Sequence, residues 1–320
     1  MKGGLLTAAA YLVAAVCLTG ALLAQGGRFS SRLDIFCHFA PLWLTGAFLT
    51  GVWGIVIERG AARGLLLAIA AGGVVAAGAL MARELTRPAP ATAPPTGRDG
   101  LRLIQFNAWG LNRDPQAVAD WIADQKPDVV AIEELTPALH AALTRHGFIY
   151  QQGMTLSVAI FSRVPPGSGP FIVPAAYWPI LPEFARAAFP APGRDGTFDV
   201  VAVHLAWPTN PRFWRQALHL ADFLDLYAPG RLILAGDFNL TPWSFSLRRL
   251  DGRLGMQRRD RALASWPANL SVGGRLYPSW AWFPIDHVYA GPAWRTVAVR
   301  RGPSLGSDHY PLVVDLALEK

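Results

Sequence analysis

Three long apolar segments fill most of the first 85 residues. They run from about residue 5 to 24, 35 to 57 and 65 to 82, and short charged links separate them. Each segment is long enough to cross a bilayer as a helix, and none has the polar face that a helix at the surface of a soluble domain needs. The pattern therefore predicts a membrane domain over residues 1–85 with three transmembrane helices.

A proline-rich stretch from residue 86 to 99 follows the last apolar segment. Its prolines cannot continue a helix and favour an extended spacer, so we interpret it as the linker between two domains. An odd number of membrane crossings places the N-terminus and the second domain on opposite sides. The basic residues divide three against four between the two sides, so the positive-inside rule leaves the orientation open.

Beyond residue 100, short apolar runs alternate with amphipathic segments. The runs predict strands at 101–106, 128–132, 157–161, 198–203, 231–235, 285–289 and 312–316, and the segments predict helices at 115–125, 137–146 and 212–227. This alternation indicates an α/β domain over residues 100–320. Between the third and fourth strands we expect a proline-rich loop that contains Trp178 and Phe184 and is long enough to face a substrate.

Polar residues follow the predicted strands at the points where the strands end. They are Asn107, Glu134, His204, Asp237 with Asn239, Asp286 with His287, and Asp308 with His309. Asp237 and Asn239 are two residues apart, so in an extended chain their side chains point to the same side. Carboxylate and amide oxygens suit Mg²⁺ or Mn²⁺, and histidines beside them suit proton transfer or contact with a phosphate.

Composition narrows the chemistry further. The chain of 320 residues carries a formal net charge of +7, and its two cysteines, Cys17 and Cys37, both lie in the apolar N-terminal region. The α/β domain therefore has no disulfide framework and no thiolate metal site. The basic surplus leaves three interpretations open, namely a nucleic-acid partner, an anionic membrane surface or a basic surface that faces only solvent.

Six short motifs of the α/β domain resemble those of the endonuclease/exonuclease/phosphatase superfamily. They are Phe-Asn-Ala at 106–108, Ala-Ile-Glu-Glu-Leu at 131–135, Val-His-Leu at 203–205, Gly-Asp-Phe-Asn at 236–239, Ile-Asp-His-Val at 285–288 and Ser-Asp-His-Tyr-Pro at 307–311. The resemblance covers about residues 100–320, in the family's order. It implies a four-layer α/β sandwich, two mixed sheets packed face to face with helices outside, and a metal-dependent phosphoric ester hydrolase.

The resemblance also implies a metal site. Asn107 and Glu134 would hold Mg²⁺ or Mn²⁺, with Asp308 as a further ligand. Glu133 stands where many members of the family have Gln, so Glu134 is the better candidate for the ligand.

The remaining motif residues would carry the catalytic steps. By resemblance, Asp237 and Asn239 would position or deprotonate the attacking water, and His309 would contact the scissile phosphate while Asp286 holds its tautomer. His204 would be the second histidine, assisting the phosphate or the leaving group. A metal ion and a cationic imidazole would stabilise the negative charge that concentrates on a phosphoester as it reacts.

Three transmembrane helices before a proline-rich linker resemble the membrane-anchored bacterial branch of the family, which includes VanJ-like proteins. This resemblance implies a multi-pass protein of the bacterial cytoplasmic (inner) membrane with its catalytic domain on the periplasmic or extracytoplasmic side. The substrate would then be a membrane-associated or periplasmic phosphate ester, and a lipid-linked phosphate is one candidate of this class.

Two other functions stay open. A nuclease would use the arginine set Arg248, Arg249, Arg253, Arg258, Arg259 and Arg261, with Trp243 and Trp266 nearby, to track a phosphate backbone. The alternatives for this set are anionic lipid headgroups and a solvated face. A membrane-tethered binding protein without catalysis is the other function. The aromatic residues of segment 277–284 have three interpretations, namely the core, a lipid-facing rim and a substrate platform, and we expect the core.

Overall fold

The computed structural model describes residues 2–94, 100–152, 157–167, 181–210, 212–225, 227, 229–272 and 275–319. The chain divides into two units, and the first consists of Met1–Pro88 together with Leu240–Arg249. The second consists of Ala89–Asn239 together with Leu250–Lys320. We call them the helical unit and the sheet unit.

The helical unit contains the predicted apolar helices. They are α1 (Lys2–Gln25), α3 (Ala40–Val56) and α4 (Gly60–Leu85), with the short helix α2 (Ser31–Asp34) and 3-10 turns at Gly26–Arg28 and Ile35–Phe39 between α1 and α3. Three segments, Gly4–Arg28, Ser31–Val56 and Gly60–Leu85, are long and apolar enough to cross a membrane. The prediction of three long apolar N-terminal helices is confirmed.

A polar segment from far along the chain completes the helical unit. Residues 240–249 include the first turns of α8 (Phe245–Arg253). The buried carboxylate of Asp34 accepts hydrogen bonds from the backbone N–H groups of Phe245 at 2.8 Å and Ser246 at 2.9 Å. Asp34 therefore caps α8 and places a negative charge at the positive end of that helix.

In the described part of the sheet unit there are thirteen strands and three helices besides the end of α8. The helices are α5 (Pro115–Asp124), α6 (Pro137–Arg145) and α7 (Phe213–Leu224), with a 3-10 turn at Pro229–Arg231. The strands are β1 (Gly100–Asn107), β2 (Val129–Glu133), β3 (Ile149–Gln152), β4 (Ala159–Ser162), β5 (Glu183–Pro190), β6 (Thr197–His204), β7 (Leu232–Asp237), β8 (Gln257–Arg258), β9 (Asn269–Val272), β10 (Arg275–Pro278), β11 (Asp286–Ala290), β12 (Trp294–Arg301) and β13 (Leu312–Leu318).

The strands form two mixed sheets and a hairpin. The six-stranded sheet has the order β12-β13-β1-β2-β4-β3, the five-stranded sheet has the order β5-β6-β7-β11-β8, and β9 pairs with β10. Within the sheets, β1 runs parallel to β2 and β6 runs parallel to β7, whereas the other pairs are antiparallel. Parallel neighbours end at the same edge of a sheet, which brings the residues after β1 and β2, and after β6 and β7, together.

The main apolar core lies between the two sheets. Leu103 and Val129 of the first sheet pack in one cluster with Val200 and Ile233 of the second. A second cluster joins the outer face of the six-stranded sheet to α5 and α6. The α7 helix covers the other sheet, since the ring of Phe223 lies 5.0 Å from that of Phe184 on β5. The predicted four-layer α/β sandwich is confirmed.

One local expectation is wrong. Phe184 belongs to β5 and is buried, whereas the sequence predicted a loop there. The small alanines of β5 weaken the hydrophobic signal of the strand, while pairing with β6 and contact with α7 supply its stability. Trp178, the other residue of that predicted loop, lies outside the described residues.

Candidate active site

Polar side chains from both sheets meet where β1, β2, β6 and β7 end. Asn107 is the last residue of β1, and its Nδ2 donates to Oδ2 of Asp237, the last residue of β7, at 3.1 Å. His204 ends β6 opposite Asp237, and Asp286 begins β11 opposite the same residue. The two sheets are thus joined by hydrogen-bonded polar groups at one edge of an otherwise apolar core.

Unusual backbone conformations orient residues of this cluster. Glu134 and Asn239 have φ values of 53° and 52°, in the left-handed region that non-glycine residues seldom adopt. A Cβ atom added to Gly236 would lie 1.9 Å from the carbonyl oxygen of Val203 on the neighbouring strand. Only glycine allows β6 and β7 to approach this closely just before Asp237. Backbone strain of this kind concentrates at functional sites, where the surrounding structure maintains it.

Asp237 lies at the centre of the cluster. Its Oδ2 is 3.6 Å from Nε2 of His204 and 3.6 Å from Nε2 of His309, and its Oδ1 accepts the backbone N–H of Asn239 at 2.8 Å. The side chain is almost fully buried. Burial raises the pKa of Asp237, and the charge of His309 offsets only part of this effect. A carboxylate with a raised pKa is better suited to accept a proton than an ordinary surface aspartate.

His309 and Asp286 form a buried ion pair, with Nδ1 of His309 2.8 Å from Oδ2 of Asp286. Burial alone would lower the pKa of His309, but the carboxylates of Asp286 and Asp237 outweigh it and raise the pKa to about 10. Burial likewise acts to raise the pKa of Asp286, but the charge and hydrogen bond of His309 bring it below its ordinary value. The pair therefore presents a cationic imidazole near neutral pH, and Asp286 fixes its orientation.

Two residues of the network had no role in the sequence-based prediction. The amide Nε2 of Gln105 donates to both Glu133 and Asp286, at 2.8 Å each. Burial, reinforced by the charge of Asp286, raises the pKa of Glu133 well above its ordinary value. Ser307 donates to the carbonyl of Asn107 at 2.7 Å and accepts the backbone N–H of His309 at 3.0 Å. The sequence does contain an indication of the role of Gln105, because a polar residue inside an apolar strand needs hydrogen-bond partners.

The residues predicted to hold a metal ion offer oxygen donors. Oε1 of Glu134 accepts from Nδ2 of Asn107 at 3.2 Å, and its Oε2 accepts from the backbone of Gly110 at 2.9 Å. Burial raises the pKa of Asp308, and the charge of Glu134 adds to that effect, which places the two carboxylates in mutual repulsion. Among the described residues, the buried Oδ1 atoms of Asp308 and Asn239 have no hydrogen-bond partner. Repelling carboxylates and unpartnered oxygens fit a hard divalent cation.

A second grouping of ligand-type atoms overlaps this one. Atoms of Asp237, Asp286 and His309 lie within 4.8 Å of one another. Asp286 and His309 are already paired by a hydrogen bond and an ion pair. This grouping is therefore better explained as an ion-pair network than as a complete metal site. The carboxylate of Glu134 remains the better candidate, because no cationic side chain pairs with it among the residues that the structure describes. Oδ1 of Asn107, the atom that would bind a cation, accepts the backbone N–H of Trp109 at 3.0 Å.

Tryptophans border the site. Nε1 of Trp266 donates to Oδ2 of Asp308 at 3.1 Å, and the ring of Trp207 meets that of Trp266 edge-on at 5.5 Å. Trp207 is half exposed. The two rings lie next to Asp308. The hydrogen bond from Trp266 orients the carboxylate of Asp308, and the rings limit its contact with water.

Two members of the arginine set lie inside the sheet unit rather than on its surface. Arg258 and Arg259 are buried, Arg258 beside Asp251 and Asp260, and Arg259 against the carbonyls of Ala290 and Gly291. Buried guanidinium groups with protein partners cannot track a nucleic-acid backbone. The prediction that the whole arginine set binds phosphates is therefore wrong for Arg258 and Arg259.

Other members of the set make intramolecular contacts as well. In the sheet unit Arg253 pairs with Asp222, and within the helical unit Arg249 donates to the carbonyls of Gly27 and Arg28. Trp243, which the nuclease interpretation placed near these arginines, is buried. The chain therefore uses these residues mainly for its own fold.

Comparison with known proteins agrees with this geometry. The family model described as Endonuclease/Exonuclease/phosphatase family matches residues 104–309, and the chain belongs to this family. The match spans the strand-end cluster from Asn107 to His309. Members of the family are hydrolases that act on phosphoesters. None of the curated protein sequences matches the chain.

Solved structures with different printed functions share the fold. An endonuclease/exonuclease/phosphatase family protein from Bacteroides thetaiotaomicron is 14% identical with a TM-score of 0.54, and 70% of this chain covers 100% of that chain. A mannosyl-6-phosphatase from the same organism is 16% identical with a TM-score of 0.52, over 68% and 100% of the two chains. D. rerio TDP2 complexed with single strand DNA product is 19% identical with a TM-score of 0.52, over 68% and 98%. These likenesses establish the fold and leave the substrate open.

Proposed function

We propose that the protein is a membrane-anchored, divalent-metal-dependent phosphoesterase. In this proposal it hydrolyses a membrane-associated or periplasmic phosphate ester. One observation carries the proposal. At one edge of both sheets the side chains of Asp237, Asp286, His309 and Asn107 are buried and in contact with one another. Burying so many ionisable groups opposes folding unless they are paired, and such a cluster is characteristic of a site that stabilises changing charge.

The side chains supply complementary steps. Asp237, oriented by the N–H of Asn239, accepts the proton of the attacking water as its oxygen bonds to phosphorus. His309 contacts the phosphate oxygens as a cation, and Asp286 keeps its Nδ1 hydrogen-bonded so that Nε2 faces the site. His204 donates a proton to the leaving oxygen when its bond to phosphorus breaks. Electrostatic stabilisation and proton transfer therefore come from different residues around one centre.

We assign the metal ligands to Asn107, Glu134 and Asp308. Their oxygens form a hard donor set without thiolates, as Mg²⁺ or Mn²⁺ requires. When bound, the cation supplies positive charge that offsets the negative charge of the phosphoester as it reacts. Trp266 holds Asp308 in position for this role.

The three apolar helices support the membrane assignment. Together with the proline-rich linker they resemble the membrane-anchored bacterial branch, so we propose a multi-pass protein of the bacterial cytoplasmic membrane. The sheet unit would lie on the extracytoplasmic side, where chromosomal DNA is absent. A phosphate ester carried by a lipid is then the substrate class that meets the enzyme most readily.

The direct test is hydrolysis by the full-length protein in detergent and in lipid vesicles. Substrates are bis-p-nitrophenyl phosphate, plasmid DNA, and a panel of polyprenyl phosphates and phospholipids, each with Mg²⁺, with Mn²⁺ and with a chelator. We expect chelation to abolish turnover and Asp237→Asn to lower it by at least ~100-fold, because the variant loses the proton acceptor. The matched control is Asp124→Asn, which removes an exposed carboxylate on α5 and leaves turnover unchanged.

Each outcome has a distinct meaning. Turnover of lipid phosphates with DNA untouched supports the proposal. Cleavage of DNA at low enzyme concentration would replace it with a nuclease and reopen the membrane orientation. Divalent-ion binding without turnover of any phosphoester would identify a tethered binding protein instead.

A further inference from the structure

A β-hairpin exposes apolar side chains on one face, next to residues 304–309, which carry Asp308 and His309 and which we call the catalytic loop. In the antiparallel pair of β9 and β10, Leu270 lies opposite Tyr277 and Val272 lies opposite Arg275. Residues that are opposite or two apart share a face of such a ribbon, so these four side chains lie together. Leu270, Val272 and Tyr277 are 49%, 62% and 48% exposed.

The exposed series continues beyond the hairpin. Trp280 is 84% exposed and Trp282 is 49% exposed, although the sequence predicted that the aromatic residues of segment 277–284 lie in the core. That expectation is wrong for Tyr277 and for both tryptophans. We call Leu270, Val272, Tyr277, Trp280 and Trp282 the aromatic ribbon. Leu270, Val272 and Tyr277 share one face of the hairpin, and Trp280 and Trp282 follow the hairpin along the chain. So many large exposed apolar side chains in one short segment indicate a binding site, because leaving them in water is unfavourable.

The aromatic ribbon is fixed to the catalytic loop through its backbone and through Asn269. Nδ2 of Asn269 donates to the carbonyl of Ser307 at 2.6 Å and to the hydroxyl of Ser304 at 3.1 Å. The N–H of Ala268 donates to the carbonyl of Asp308 at 2.6 Å. Whatever surface binds the ribbon is therefore held close to Asp308 and His309.

The chemistry of the ribbon fits a lipid surface. Tryptophan and tyrosine favour the boundary between lipid headgroups and acyl chains, where an apolar ring and a polar edge are both accommodated. Leu270 and Val272 supply aliphatic area, and the exposed Arg275 on the same face would attract anionic headgroups. A binding site for a soluble acidic or polar partner would not need this aliphatic area.

The short connection between α4 and the sheet unit limits how far the sheet unit can be from a membrane that α4 crosses. Only residues 86–88 separate the end of α4 from the first residue of the sheet unit. Three residues span at most about 11 Å when fully extended. If α4 crosses a membrane, the sheet unit stays beside that membrane at all times, so even weak insertion of the ribbon would be effective.

We propose that the aromatic ribbon inserts into the headgroup layer of the membrane that the chain's own helices cross. The inference rests on the proposed membrane anchor and deepens the proposed function. It identifies the substrate class as a phosphoester on a lipid of that membrane, which the ribbon brings to the site beside Asp308.

The first test locates the ribbon in full-length protein reconstituted into phosphatidylethanolamine–phosphatidylglycerol vesicles. Val272→Cys and Trp280→Cys are labelled with a nitrobenzoxadiazole fluorophore, in a background with Cys17→Ala and Cys37→Ala. The control is Leu218→Cys, which is 52% exposed on α7. We expect a blue-shifted emission at positions 272 and 280 and quenching there by headgroup spin-labelled lipid, with neither effect at position 218.

Emission at positions 272 and 280 that matches position 218 would overturn the proposal. A blue shift without quenching by spin-labelled lipid would assign the ribbon to a protein partner or a second copy, and would overturn the assignment to lipid. This measurement needs no turnover, so it decides the proposal even if the enzyme hydrolyses none of the tested phosphoesters.

The second test separates lipid access from chemistry. The double variant Val272→Ser and Trp280→Ser should hydrolyse soluble bis-p-nitrophenyl phosphate at the wild-type rate. Its hydrolysis of a vesicle-borne phosphoester should fall by roughly tenfold, because two apolar anchors are lost. Equal loss on both substrates would place these side chains in the active site, and no loss on either would remove the ribbon from substrate access. Both results would contradict the inference.

Discussion

Two buried histidine–aspartate pairs of the sheet unit have the same bond geometry. Nδ1 of His309 lies 2.8 Å from Oδ2 of Asp286, and Nδ1 of His287 lies 2.8 Å from Oδ2 of Asp260. All four side chains are buried. If burial and pairing were enough to identify a catalytic residue, the two pairs would be indistinguishable.

The second ring nitrogen distinguishes them. Nε2 of His309 faces Oδ2 of Asp237 at 3.6 Å, among the groups that we assign to catalysis. The ring of His287 instead packs near the rings of Phe238 at 5.6 Å and Tyr289 at 6.5 Å. The first pair belongs to the site and the second to the core, where Asp260 also accepts the backbone N–H of Val288.

Strand geometry explains how adjacent residues come to serve the two pairs. Asp286 and His287 are the first two residues of β11, and successive side chains of a strand point to opposite faces. Asp286 therefore joins the site while His287 joins the packing on the other side. In our assignment, the motif Ile-Asp-His-Val therefore contains one residue proposed for chemistry and one that packs in the core.

The largest effect on turnover is expected at His309. We expect His309→Ala to lower kcat by about 1,000-fold, because it removes the cation that faces the phosphate. The free energy of unfolding should fall as well, because Asp286 stays buried without its partner, so kcat is expressed per folded molecule from steady-state kinetics and thermal unfolding in detergent. Wild-type kcat in a pure preparation would assign His309 to the core, as for His287, and would remove the distinction between the pairs.

A smaller loss is expected when the partner of His309 changes. Asp286→Asn keeps the shape of the side chain but removes the charge that orients the ring, so kcat should fall by about 100-fold with KM nearly constant. A parallel fall in kcat and in the fraction of folded protein would show that Asp286 only supports the fold. Circular dichroism and size-exclusion profiles of the same samples would detect that result.

The smallest effect on turnover is expected at His287. His287→Ala should lower the free energy of unfolding by about 3 kcal/mol, because it leaves the buried carboxylate of Asp260 with fewer partners. The kcat per folded molecule should stay within about twofold of wild type, since the described contacts of the ring, with Asp260, Phe238 and Tyr289, are not with the groups assigned to catalysis. Denaturant unfolding and active-site-normalised kinetics would check both values, and a large fall in kcat without loss of stability would contradict the comparison.

Much of the fold follows from local patterns. The Asp114 cap and Pro115 define the start of α5, which ends one residue before the predicted position. The apolar run of β7 and the break at Gly236 are equally clear in the sequence. These elements were predictable because propensity, capping and burial favour the same structure.

The elements that the sequence did not reveal depend on distant partners. β5 is stabilised by β6 and α7 rather than by its own apolar pattern. The exposure of Trp280 contradicts the general rule that tryptophan is mostly buried, and no local pattern marks it. The role of Gln105 depends on a residue 181 positions away.

The cap that Asp34 provides for α8 has a consequence for biosynthesis. The two partners are 211 residues apart, so the ribosome completes all three apolar helices long before Phe245 exists. Until then the carboxylate of Asp34 must remain hydrated, and the helical unit cannot reach its final packing. The helical unit is therefore not an exchangeable module. A gene fusion that replaced residues 1–88, or a truncation that removed them, would remove the cap of α8. The backbone N–H groups of Phe245 and Ser246 would then lack the acceptor that Asp34 provides.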